Sequence, residues 1–193
     1  MPDYLRNPIE FLLSVLFGLY ITAVLLRFLL QWARADFYNP LSQAIVKLTN
    51  PALRPLRRII PGFGGIDVAA IVLLILLQLT LGLIFLALGI PLSPPGMPFH
   101  PALPIWLWTI AELVDLAFNV FIFSLIIQAV LSWVNPGHYN PVSSLLNRLN
   151  EPLLRPVHRV IPPFSGLDLS PLVVILLLQV AKMLVMPLFG LFS

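Results

Sequence analysis

Four apolar stretches, each long enough to cross a bilayer, constrain this chain more than any other feature. A spanning helix needs about 20 mostly apolar residues. The first stretch runs from about residue 8 to 33 and carries Arg27 near its end; the second, about 68 to 90, contains no charge. The third covers 105–134, with Glu112 and Asp115 in its first part, and the fourth, about 169–192, is interrupted only by Lys182. Charged residues are 10% of the chain, against roughly a quarter in soluble domains, which excludes a water-facing globule. The start lacks the basic region and small-residue site of a cleaved signal peptide, so the first stretch is expected to stay in the protein.

Basic residues set the expected orientation. Between stretches one and two lie Arg34, Lys47, Arg54, Arg57 and Arg58; between three and four lie Arg148, Arg155 and Arg159. The N-terminal segment has only Arg6, and the Pro-rich connector 91–104 has no Lys or Arg. By the positive-inside rule both long loops, 34–67 and 135–168, are cytoplasmic and both termini face outward. Basic residues that flank spans are explained by topology and lipid headgroups, so the positive net charge does not indicate nucleic acid.

The two halves are copies of each other. Offset by 101 residues, Tyr38–Gln78 and Tyr139–Gln179 match without gaps at 19 of 41 positions, including the Asn-Pro, Arg-Pro and Asp positions. Apolar bias alone does not produce such matches. The units are residues 1–90 and 105–193, each a span, a long loop and a span. A two-span unit returns to its starting side, so the copies are parallel, and a pseudo-two-fold axis along the membrane normal is expected. The expected class is an all-α membrane protein of four transmembrane helices in two parallel two-helix repeats, each with an amphipathic cytoplasmic loop.

Within each loop the pattern is helical. After Asn39-Pro40, apolar residues fall at Leu41, Ala44, Ile45 and Leu48; the second copy has Val142, Leu145, Leu146 and Leu149. This is one helical face, opened by proline at the first helical position. Leu41, Ile45 and Leu48, with Val142, Leu146 and Leu149, are expected to be buried, and Lys47 and Arg148 exposed. The segments 51–61 and 152–162 are basic and apolar together and read as interfacial helices. Asp67 and Asp168 are placed to cap the spans that follow.

The pattern NPLSQAIVKLTNPALRPLRRIIPGFGGIDVAAI and its copy NPVSSLLNRLNEPLLRPVHRVIPPFSGLDLSPL resemble the YggT family of bacterial inner-membrane proteins. The resemblance covers nearly the whole chain. It implies a link to osmotic-stress tolerance and, through single-copy plastid relatives, to haem attachment in cytochrome b6f assembly. It implies no enzyme activity. The second copy departs from the first with His158 for Arg57 and Pro163 for Gly62.

Three sets of residues are candidate sites. Arg54, Arg58 and Asp67, with Arg155, Arg159 and Asp168, form either a surface for anionic lipid or a partner, or structural pins in which arginine pairs with the capping aspartate. Arg27, Gln31, Gln78, Gln128 and Gln179 are polar within spans, where such side chains face the bundle interior. They line a hydrophilic path or bond between helices, with Arg27 reaching for the loop side. Ser14, Gly18 and Thr22 form a small-residue stripe suited to helix packing. Lys182 lies about 21 Å along its span from Asp168, near the depth of Asp115 and Glu112, which predicts an ion pair, with Asp115 the favoured partner; the alternative is that Lys182 snorkels outward.

His100, His138 and His158 do not converge on one depth, so neither haem nor metal is expected, and no nucleophile motif or phosphate-binding glycine loop is present. The expected function is non-enzymatic, without cofactors, acting through the loops on lipids or a partner membrane protein, with self-association open. The alternatives are a transport or channel component and an assembly factor.

Overall fold

The computed structural model describes residues 3–62, 65–92, 104–134, 140–160 and 168–190; His100 and His138 and most of the connector lie outside them. Six helices follow in order: α1 (Asp3–Trp32), α2 (Pro40–Ile59), α3 (Val68–Ala87), α4 (Ile105–Val134), α5 (Pro141–His158) and α6 (Ser170–Gly190). Helices α1, α3, α4 and α6 are long and apolar enough to span a membrane. The protein is therefore an all-helical multi-pass membrane protein.

Each copy is the same three-helix unit. Asn39 and Asn140 cap α2 and α5, accepting hydrogen bonds from the N–H of Leu41 and Val142 at 3.0 Å, and a proline follows each cap. Each unit centres on one buried residue per helix: Val24, Leu53 and Leu73 in the first copy, Leu125, Leu154 and Val174 in the second. Both loop helices run unbroken through two prolines, Pro51 and Pro55 in α2 and Pro152 and Pro156 in α5. Each proline frees the carbonyl four residues back. All four prolines, and the residues whose carbonyls they free, are exposed, so water can satisfy those acceptors.

Helices α2 and α5 touch, and Asn39 donates its side-chain amide to the Pro141 carbonyl at 2.7 Å. Both loops thus lie at one end of the bundle, called here the loop end. The burial of α2 differs from expectation. Its protein-facing side is Ser42, Thr49 and Leu53, with Ile45 half-buried, whereas Leu41 and Leu48 are exposed. In α5, Leu145 and Leu149 are buried and Val142 and Leu146 half-buried. Lys47 and Arg148 are exposed in both.

The copies do not close around a two-fold axis. Such an axis would repeat the α3–α4 contact as α6–α1 and the α1–α5 contact as α4–α2; among the described residues neither of those pairs touches. The α3–α4 contact that joins the copies is built on Gly82. A Cβ there would lie 2.9 Å from the Trp108 ring, so α4 seats its tryptophan where α3 has no side chain. The equivalent positions hold Met183 on α6 and Asn7 on α1, with the bulk on the opposite partner. The second copy therefore packs behind the first, head to tail. Its Val120, Leu145 and Leu149 complete a core otherwise built from the first copy, including Ile21, Val24, Leu25, Leu29 and Leu73.

Candidate functional site

At the loop end, the last turns of the first and third spans are tied to their loop helices by polar groups. Arg27, 7% exposed, donates from one guanidinium nitrogen to Thr49 Oγ1 at 2.7 Å, Asn50 Oδ1 at 2.9 Å and the Val46 carbonyl at 3.3 Å. In the second copy Asn150 sits at the position of Thr49. It donates to Gln128 Oε1 at 2.8 Å and accepts from Ser124 Oγ at 2.7 Å. The two ties use different chemistry at the same place, because a buried polar group must be paired wherever it comes from. Thr49, Asn50 and Asn150 were not singled out from sequence. Part of their signal was present: Thr49 and Asn150 lie on the helix face turned away from most of the basic residues.

The capping aspartates have partners other than those expected. Asp67 accepts from the Ala70 N–H at 3.3 Å and pairs with Arg57, not with Arg54 or Arg58. Asp168 accepts from the Ser170 N–H at 2.9 Å and pairs at 2.9 Å with His158, the residue that replaces Arg57. One helical turn of α2 carries Arg54, Arg57 and Arg58 in different directions, and only Arg57 points at the next span's start. Arg54, Arg58, Arg155 and Arg159 are all exposed. Burial opposes ionisation of Asp168, but hydrogen bonds from His158 and Ser170 outweigh it and hold the carboxyl below the usual carboxylate range.

The polar residues within the spans do not assemble one path. Arg27 and Gln128 are held by the loop helices, while Gln31 and Gln179 are exposed. Gln78 alone of the five opens on a cavity of about 710 Å³ at the end away from the loops, whose lining includes Arg6, Glu10, Ser14, Gly18, Trp108 and Glu112. Ser14 and Gly18 thus border space rather than a helix, and a Cβ on Gly18 would meet nothing within 4 Å. Towards the loop end the helices close over a buried cluster that includes Val24, Leu73 and Leu74.

Beside the cavity, Lys182 lies 2.8 Å from Asp115 Oδ1 and donates to Asn119 Oδ1 at 2.7 Å; Asn119 donates in turn to Asp115 Oδ2 at 2.7 Å. The three groups satisfy one another across α4 and α6. Asn119 was missed in the sequence, although it stands one turn from Asp115 on the same helix face. Glu112 belongs to the cavity wall instead.

These features define a class: a four-span helical membrane protein made of two copies of a span–loop helix–span unit. The family model described as CCB3/YggT matches residues 7–88 and again 107–189, and the chain belongs to that family. An uncharacterized protein of Pseudomonas aeruginosa is 49% identical over 178 residues, 91% of this chain and 86% of that protein. An uncharacterized protein of Vibrio alginolyticus is 41% identical over 184 residues, 95% and 96% of the two chains. The uncharacterized protein YggT of Escherichia coli is 37% identical over 177 residues, 92% and 88% of the two chains. No solved structure matches the chain significantly.

Proposed function

We propose that this is a non-enzymatic inner-membrane protein that acts at the cytoplasmic surface, where α2 and α5 engage anionic lipid headgroups. One observation carries the reading. The copies pack differently, yet Arg54 and Arg58 in one and Arg155 and Arg159 in the other are exposed alike, beside exposed Ile59 and Val160. Exposure that survives such a change of surroundings is what a surface for the bilayer requires. A basic residue near an anionic surface is worth about 1 kcal/mol, so four arginines give a strong preference. The loops are then cytoplasmic and the termini periplasmic, as the positive-inside rule expects.

The test is thermal melting in nanodiscs with and without phosphatidylglycerol. Wild type should be stabilised by the anionic lipid, and the Arg54/Arg58/Arg155/Arg159→Gln variant should lose that gain. A variant that keeps it would refute the reading. Growth of cells carrying the same variant at high osmolarity examines the stress link that the family resemblance implies.

The cavity favours a second reading, a subunit of a transport assembly that binds a polar solute from outside. Solute-dependent flux into liposomes that Gln78→Leu abolishes would support it over the first.

A further inference from the structure

We infer that the head-to-tail contact between the two copies continues between molecules, so that α6 of one chain packs against α1 of a second copy, with α4 and α5 beside its α2. The contact inside the chain uses one face of the first copy and a different face of the second. Each end of the molecule therefore keeps the half that the middle has filled. On the first copy, Leu19 is 68% and Leu48 57% exposed; their equivalents Val120 and Leu149, buried against the first copy, are 9% and 2% exposed. On the second copy, Gln179 is exposed, whereas its equivalent Gln78 is 6% exposed.

Apolar residues exposed on a span need only lipid, but Gln179 needs more. It lies eleven residues past Asp168, about 16 Å along the helix and near mid-bilayer, where an amide facing hydrocarbon lacks partners. The occupant is a second copy because the chain already displays what faces this position: Trp108, Glu112 and Leu116 of the following repeat line the same cavity as Gln78. The steric match also holds with bulk exchanged. Inside the chain Trp108 fills the space over Gly82; between chains Met183 would fill the space left by Asn7. Contacts of this heterologous kind close into a ring or extend as a row, unlike a two-fold dimer.

The chain has no cysteine, which allows a direct test in bilayers. Val15→Cys and Gln179→Cys are made as separate single variants; Val15 is the equivalent of Leu116, which lines the same cavity as Gln78. Under a thiol oxidant, a mixture of the two should yield a cross-linked dimer while each variant alone yields none, and the double variant should yield higher multiples. Stepwise photobleaching of labelled wild type in bilayers should count two or more subunits. Dimers from one single variant alone would mean a face-to-face pair and overturn the inference, as would monomers in photobleaching or an uncross-linked mixture.

Discussion

Arg27 does the work of a tie rather than of a charge. Replacing it with leucine strands Thr49 and Asn50 at the α1–α2 contact, and hydrogen bonds to a charged group are worth about 1.5–3 kcal/mol each. Arg27→Leu should therefore lower unfolding stability in detergent by roughly 2–3 kcal/mol, and Arg27→Gln should restore much of it, since glutamine serves at the equivalent position in the second copy. The Asp168 pin makes a pH prediction. Its folded-state acidity is strengthened, so its contribution is fully present above the unfolded carboxylate value of about 3.9 and is lost as pH falls through the lower folded value. His158→Ala removes a hydrogen bond that strengthens the acid, so acid-induced loss in melting curves should move to higher pH. That these aspartates cap was legible in the sequence. Which neighbour holds them was not, because Arg54, Arg57 and Arg58 differ only in direction around one turn, and direction depends on where the next span stands.

Helix α2 teaches the same lesson at the scale of elements. Periodicity found its apolar face through Leu41 and Leu48 but not its protein face, which runs through Ser42, Thr49 and Leu53 and is partly polar because it receives Arg27. Spacing reports that a face exists, while its partner is set by packing between segments far apart in sequence. The depth argument for Lys182 did not depend on such direction. Helix rise alone put it level with Asp115, and the two stand 2.8 Å apart. Lys182→Met should cost about 2 kcal/mol, between the values typical of exposed and of buried pairs. Adding Asp115→Leu should recover much of that loss, as a double-mutant cycle in detergent melting would register. Gly82→Ala examines the α3–α4 contact. Its new methyl meets Trp108 at 2.9 Å and Ile105 at 3.2 Å, and overpacking of this kind costs about 1–3 kcal/mol, seen as a lowered melting temperature.

For the whole molecule, the four spans and the duplication were legible because both are written in composition and repeated residues. The head-to-tail relation was not, since a parallel repeat is equally compatible with a closed pair and an open row. What separates them is which helices touch between the copies, and that appears only once α3 and α4 lie side by side without α6 and α1 doing so. The ties at Arg27 and Gln128 have a mechanical consequence. Helices α2 and α5 are joined to each other by Asn39 and Pro141, and each is bonded into the side of a long span. They form a lever whose short arms are a guanidinium and an amide. A load that tilted this pair would reach α3 and α6 through the Asp67 and Asp168 pins, and α1 and α4 several residues inside their ends. Spin labels on α1 and α4 should register the motion, and cutting both arms with Arg27→Leu and Gln128→Leu should leave those two spans still while the surface helices swing.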